Sequence, residues 1–313
     1  MKTRNDIKKA LESVQEIKKD LPIIIESHSS NQLPENVNDI DAEDAKNPQL
    51  VSIYVNDIYN YMRQLELIYP VHEHHLKIQP EITGKMRAVL IDWLIQVHLR
   101  FHLLQETLYL TVSIIDRYLQ VEKVKRSELQ LVGVSAMFIA SKYEEMYAPD
   151  IGDFVYITDN TYSKQEIFKM ERSMLRKLDF SLSKPLPLHF LRRNSKAGDV
   201  DGTMHTLAKY LMEIALLEYE LAHYRPSQLA AAALYLSLKL LTKSEWSDTL
   251  KYYSKYAEED VLPLVQALCG VLLKADSSKH QAVHLKYASS KLHKISTIPQ
   301  LKSPIVKELA GKK

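Results

Sequence analysis

MRAVLIDWLIQV, Met86 to Val97, decides the fold of this chain. It holds no Gly or Pro, and Pro80 and Thr83 precede it as breaker and cap, so it reads as a helix. At about 100° per residue, Arg87, Ile91, Leu94, Ile95 and His98 share one side. Met86, Val89, Trp93 and Gln96 share a narrow arc elsewhere. A surface helix needs only one apolar face for its core. The second stripe is therefore either covered by more protein or left to dock a partner.

Outward from this helix the chain reads as helix after helix. Asn47-Pro48 predicts a cap and first turn for a helix to about Leu67, striped by Leu50, Ile53, Tyr54, Ile58, Tyr61, Met62 and Leu65. Helices follow from Gln105 to Leu119 and from Ser127 to about Glu145, the latter opened by a Ser127–Gln130 capping box. A Ser163–Glu166 box opens another, to about Lys177. The segment after Ser127 is apolar nearly all round, and Gly133, Ser135, Ala136 and Ala140 permit close approach, which marks a central buried helix.

The second half repeats the first. LQLVGVSAMFIASK from Leu129 matches PSQLAAAALYLSLK from Pro226 in its small residues and closing lysine, and ETLYLTVSII from Glu106 has a looser counterpart in HTLAKYLMEI from His205. A repeat this long predicts two related helical domains. The expected division is a flexible tail over 1–46, a first domain with its leading helix over 47–182, and a second over 183–276, with SKPLPL from Ser183 as linker. A basic segment over 277–313 should pack as a helix and then fray. Ile7, Leu11, Val14 and Ile17 would stripe a short amphipathic helix within the polar, acidic tail.

Composition narrows the function classes. Only 7 glycines among 313 residues favour helices over turn-rich β structure. Balanced charge, 41 basic against 39 acidic residues, gives no overall field for nucleic acid or membrane. A single cysteine, Cys269, excludes an internal disulfide, fits a reducing intracellular compartment, and reads as a small buried hydrophobe. No apolar run approaches a membrane span of about 18–20 residues. No phosphate-binding Gly-rich loop, nucleophile elbow or zinc signature occurs, so neither catalytic residues nor a cofactor are expected. His72 to His75 lies between helices with the wrong spacing for a metal site and reads as a solvated loop. Glu144-Glu145 and Glu258-Glu259 read as solvated charges at helix ends.

Together these motifs resemble the B-type mitotic cyclins. MRAVLIDWLIQV is similar to the signature of their first box, as are LLQETLYLTVSIIDRYL from Leu103, the stretch from Leu129 to Ser163, and PLPLHFLRRNSKAGDVD from Pro185. YASSKLHKISTIPQL from Tyr287 resembles their C-terminal segment. The resemblance runs from about Asn47 to the C-terminus. It implies an all-α fold: two tandem five-helix cyclin boxes with an extra N-terminal helix and a C-terminal helical tail. It also implies a non-catalytic regulatory subunit, forming a heterodimer with a mitotic cyclin-dependent kinase and acting at the G2/M transition in cytoplasm and nucleus.

Five positions that define the first box are present: Arg87, Asp116, Leu131, Lys142 and Glu171. Arg87 lies on the core side of its helix, where an unpaired guanidinium is costly, and the resemblance pairs it with Asp116. Lys142 and Glu171 sit on otherwise apolar helices. There the resemblance has them grip backbone around the kinase's mobile C-helix, with Ile139, Tyr143, Glu144, Leu175 and Leu182 as neighbouring contacts. It also implies that Met86, Val89, Trp93, Gln96, Leu129 and Gln130 dock Arg-x-Leu-type peptides of substrates and inhibitors. Gln96 replaces a glutamate of the A-type pattern, so the charge attraction for a basic peptide is expected to be weaker.

His205 and Lys209 share a helix face, and Arg192 and Arg193 come shortly before. That cluster, with Arg192, His205 and Lys209 as ligands, suits a phosphate, and the resemblance points the same way. The Arg-x-x-Leu matches to the destruction box that the resemblance implies, at Arg100, Arg126 and Arg172, all lie within predicted helices. A different reading, a tandem cyclin-fold transcription factor of the TFIIB group, requires a concentrated basic face and usually a zinc ribbon.

Overall fold

A computed structural model describes residues 33–275 and 277–311. Among the described residues every regular element is helical. Two compact units are distinguished, one including 41–58 and the other formed by 33–40 with everything from Tyr59 onward. The expected stripe at Ile7 to Ile17 lies outside the described residues.

The expected helix from Asn47 is broken. The Asn47 side chain does accept a hydrogen bond from the Gln49 N–H, at 3.0 Å. Val51 then adopts a left-handed conformation, with φ 53°, between two short 3-10 turns. A β-branched residue there is strained, and the α-helix, α1, starts only at Val55 and runs to Ile68. Leu50, Ile53, Tyr54, Ile58 and Tyr61 of its expected stripe are exposed, and Leu65 alone is buried.

In the second unit, residues 33–40 are docked, contrary to the flexible tail expected there. The Asn38 N–H donates to Thr249 Oγ1 at 3.1 Å, Tyr253 Oη donates to the Asn38 carbonyl at 3.2 Å, and Val37 and Ile40 pack against the core. The first box is α2 (Gly84–Arg100), α3 (Gln105–Val121), α4 (Leu129–Glu144), α5 (Ile151–Ile157) and α6 (Lys164–Lys177). The second is α7 (Pro187–Ala197), α8 (Gly202–Leu217), α9 (Pro226–Leu241), α10 (Asp248–Ser254) and α11 (Glu258–Ala275). The two repeated motifs thus fall on α3 and α8 and on the central helices α4 and α9. Gly133 lets α4 close on α2, since a Cβ there would stand 2.7 Å from Leu90 Cδ1. In α9 the alanines from Ala230 to Ala233 serve the same close packing and are fully buried.

Local capping explains where helices begin. Thr83 caps α2 and the Ser163–Glu166 box caps α6, as their spacing predicts. The Ser127 box does not form. Arg126–Glu128 is a 3-10 turn, so α4 starts two residues later than expected and has no side-chain cap. Glu145 is not a solvated charge either: its Oε1 accepts the Leu104 N–H at 2.7 Å and so caps α3 from across the fold. Glu258 likewise accepts a hydrogen bond from the Tyr235 hydroxyl. His75 leaves the solvated loop expected of it and is buried, with Nε2 3.3 Å from Asp116 Oδ1.

Arg87 and Asp116 form a buried bidentate pair, Nε to Oδ1 at 2.6 Å and Nη2 to Oδ2 at 2.7 Å. Burial alone would push the Asp116 carboxyl up. The charge and hydrogen bonds of Arg87, with those of His75, overcome this and hold it well below the usual range. Arg87 Nη1 also donates to the Leu216 carbonyl at 2.8 Å, so the same guanidinium ties the first box to α8 of the second.

The C-terminal segment locks this junction instead of fraying. Helix α12 (Ala282–Tyr287) packs on α2 and α8, and Ile295, Leu301 and Val306 are buried beyond it. Lys286 Nζ donates to both oxygens of the fully buried Glu213 at 2.8 Å, and the Tyr287 hydroxyl donates to it at 2.7 Å. Nearby, buried His98 donates Nε2–H to the Leu104 carbonyl at 3.0 Å and leaves Nδ1 without a partner. Burial, and then the Lys286 charge, push its pKa down to about 4. The unfolded chain takes up this proton near pH 6.5, so stability should fall as pH drops from there toward 4. Urea titrations at about pH 7 and pH 5 should differ by about 2 kcal/mol on this account. In a His98→Gln variant the pH dependence should shrink by about that amount; an unchanged pH slope would assign it to other groups.

Candidate functional site

Helices α4 and α6 pack side by side and bring Lys142 and Glu171 together at one edge of the first box. Lys142 Nζ contacts the Glu171 carboxylate and lies 4.0 Å from the Phe138 ring centroid. The lysine side chain is 43% exposed and the carboxylate only 11%, so the pair is anchored in the fold and open at its cationic end. With its carboxylate largely buried and its ammonium partly exposed, the pair is a half-open contact and not a free surface ion pair.

Apolar side chains lie near the pair along the same two helices and the turn after α6. Leu175 and Leu182 are half-buried, and Tyr143 is exposed. Glu144 is half-buried, its carboxyl pushed up by burial and then by the charges of Glu106 and Glu145. Ile139 departs from its expected place as a surface contact. It is 3% exposed, because it faces the core from the all-buried centre of α4.

Sequence reasoning missed the most open apolar side chains just past the ends of these two helices. Met146 and Tyr147, just past the end of α4, are 87% and 88% exposed. Phe180 is 67% exposed for a local reason. Helix α6 ends in a Schellman turn, with the Phe180 N–H donating to the Leu175 carbonyl at 2.8 Å and left-handed φ at Asp179 and Phe180. Such positions usually carry glycine, and here the turn props an aromatic ring into solvent. The only sequence signal was apolar residues placed directly after helix ends.

A second surface lies along α2. Val89 and Gln96 are exposed, and Met86, Trp93 and Gln130 are half-buried beside them. Leu129 is buried, at 7% exposure, and so does not belong to an exposed docking face as expected. Gln96 Nε2 donates to Asp92 Oδ2 at 3.2 Å, and Asp92 Oδ1 accepts the Ala282 N–H at 3.0 Å. A carboxylate therefore stands one turn before Gln96, supplying the negative charge that the amide lacks. Asp92 was overlooked because its helical angle places it between the two stripes.

The basic cluster does assemble, with a complication. His205 Nδ1 is 2.8 Å from Ser195 Oγ. Burial first, then the charges of Lys209 and Arg192, lower the His205 pKa. Arg192 itself is paired with Glu106 from the first box, so an incoming anion must compete with a carboxylate. Among the described residues no group of three or more His, Cys, Asp or Glu side chains could hold a metal ion, and no helix is long and apolar enough to cross a membrane.

The chain matches two family descriptions: "Cyclin, N-terminal domain" over residues 57–183 and "Cyclin, C-terminal domain" over 185–301. It is 63% identical over 276 residues to the "G2/mitotic-specific cyclin-B" of Spisula solidissima, covering 88% of this chain and 64% of that protein. To the protein of the same description from Patella vulgata it is 62% identical over 273 residues, covering 87% and 67%. The chain thus spans about two thirds of the length of these curated relatives. Among solved structures, a viral cyclin from herpesvirus saimiri shares the fold, with a TM-score of 0.62, 22% identity, and coverage of 68% of this chain and 95% of that one.

Proposed function

This chain belongs to the cyclin family, in its G2/mitotic-specific B branch, and from that premise we propose that it is the regulatory subunit of a mitotic cyclin-dependent protein kinase. The observation that carries this reading is the Lys142–Glu171 pair, with Tyr143, Met146, Tyr147 and Phe180 exposed at or just past the C-terminal ends of the same two helices. Charge and apolar area are combined there as a helix-binding surface requires, and the lysine and these apolar side chains remain open to solvent.

The mechanism is a population shift. A protein kinase transfers phosphate only when its strand lysine pairs with the C-helix glutamate. A partner that binds only the helix-in state stabilises it by its differential affinity. Moving that equilibrium from 1:99 to 99:1 takes roughly 5.5 kcal/mol, within the range of an interface burying about 1,200–2,000 Å². Lys142 and Glu171 direct polar contacts at the kinase backbone, the aromatic and methionine side chains supply apolar burial, and catalysis stays with the kinase. The heterodimer acts at the G2/M transition, in cytoplasm and nucleus. Co-purification from mitotic extract, with mass spectrometry of the partner, tests this reading; recovery of no protein kinase would overturn it.

Along α2, Met86, Val89 and Trp93 offer apolar docking to Arg-x-Leu-type substrates and inhibitors, with Asp92 and Gln96 for the peptide's basic residue. A Met86→Ala, Trp93→Ala double variant should lower phosphorylation of docking-motif substrates about tenfold while sparing a short peptide substrate. Equal losses on both substrates would refute this role. The pocket of Arg192, His205 and Lys209 is suited to a substrate phosphate that displaces Glu106. A DNA-binding role is the competing reading, and salt-dependent retardation of duplex DNA in a gel would revive it.

A further inference from the structure

A recess of about 560 Å³ opens on the second box, away from all three surfaces above in its residues: it is lined by His223, Tyr224, Arg225, Gln228, Lys255, Tyr256 and Asp260. Its charge is lopsided. The only carboxylate in the lining, Asp260, is already engaged, its Oδ2 accepting the Ala257 N–H at 2.8 Å at the start of α11. Among the described residues the lining cations have no carboxylate partner. Arg225 is exposed, and Lys255 Nζ touches only the face of Tyr252, 4.1 Å from its ring centroid.

A third cation stands behind them. The Arg63 guanidinium lies 5.8 Å from the Tyr256 ring centroid and spends Nη2 on the carbonyls of Tyr253, at 3.2 Å, and Ser254, at 2.6 Å. Its nearest acid, Glu66, is occupied by the Ser227 N–H at 3.0 Å and the Ser227 hydroxyl at 2.6 Å. Burial first, and then the Arg63 charge, lower the Lys255 pKa, which places the two cations within each other's field. Two more features mark the recess: among the described residues His223 Nδ1 is buried without a hydrogen-bond partner, and Lys255 holds a left-handed φ of 63° at the bend between α10 and α11.

Two unpaired cations over a third, beside an unsatisfied imidazole nitrogen and two tyrosine rings, form an anion site walled by aromatic groups. We propose that this recess binds a phosphorylated side chain of a partner peptide, with Arg225 and Lys255 as the charge-pairing residues and Tyr224 and Tyr256 packing against the flanking chain. The site takes a phosphate monoester because its cations outnumber its free carboxylates, and it takes a peptide because the recess is several times larger than one phosphate group.

The test uses the full chain carrying Arg192→Ala, His205→Ala and Lys209→Ala, so that the other basic cluster is silent. Fluorescence anisotropy then follows a labelled Gly-Ser peptide with one central phosphoserine, against its unphosphorylated twin. The phosphopeptide should bind and its twin should not, and Arg225→Glu with Lys255→Glu should weaken binding by roughly tenfold or more. Arg225→Gln with Lys255→Gln should do the same to a lesser degree, with helicity by circular dichroism unchanged in both. The proposal fails if the phosphopeptide does not bind, if the twin binds equally, or if these substitutions leave the affinity intact. It also fails if inorganic phosphate binds as tightly as the peptide, since that marks a bare anion site. None of these outcomes bears on kinase association, which rests on the first box.

Discussion

Lys142→Glu and Glu171→Lys should each abolish association with the cyclin-dependent kinase, a loss of at least about 100-fold, or roughly 3 kcal/mol, in affinity. Lys142→Glu should leave the chain folded, because the Lys142 side chain is 43% exposed, whereas Glu171 is buried and Glu171→Lys should also lower thermal stability. The charge-swapped double variant, Lys142→Glu with Glu171→Lys, separates two roles for the pair. It restores the intramolecular attraction while presenting the opposite charges to a partner. Thermal stability near wild type with no kinase retained in a pulldown is the expected result. Recovery of binding in the swap would reduce the pair to a structural contact.

Arg87→Ala should cost about 3–5 kcal/mol of stability, because it strands the Asp116 carboxylate in a site where both partners are almost wholly buried. It also removes the donor to the Leu216 carbonyl, so the junction of the two boxes loosens along with the first core. Asp116→Ala should cost a similar amount by stranding the guanidinium. Denaturant unfolding measures both, and the two losses should be strongly non-additive in the double variant, since they break one interaction. Additive losses would show that the pair is not the unit the geometry describes. A change at Val89, on the exposed arc of the same helix, should fall within about 0.5 kcal/mol. The contrast within α2 follows from its two faces.

The parts of the fold that sequence reveals are those written locally. The Thr83 cap, the Ser163–Glu166 box and the two small-residue central helices each depend on neighbours within a few turns, and each stands where its pattern places it. Ser127 shows the limit of that logic: the pattern is right, but a 3-10 turn places the serine before the helix begins. Val51 shows another, because one left-handed residue interrupts a sound amphipathic stripe. Glu145 and Glu213 could not be read at all. Their partners, Leu104 in one case and Lys286 with Tyr287 in the other, come from distant parts of the chain.

The candidate site divides the same way. Lys142 and Glu171 stand out as charges on apolar helices, whereas Ile139 shows that neighbours in sequence do not share exposure on a buried helix. Phe180 owes its exposure to a backbone turn that glycine would have announced and aspartate disguised. Asp92 matters through Gln96 and the N–H of Ala282, and no periodicity argument links those three.

The central claim is tested most directly by titrating the purified chain into a monomeric cyclin-dependent kinase and following phosphate transfer to a histone substrate. Activity should rise saturably, from near zero to a plateau at one chain per kinase, with none from the chain alone and none with Lys142→Glu. A kinase left inactive by saturating wild-type chain, or activated equally by the Lys142→Glu variant, would contradict the account.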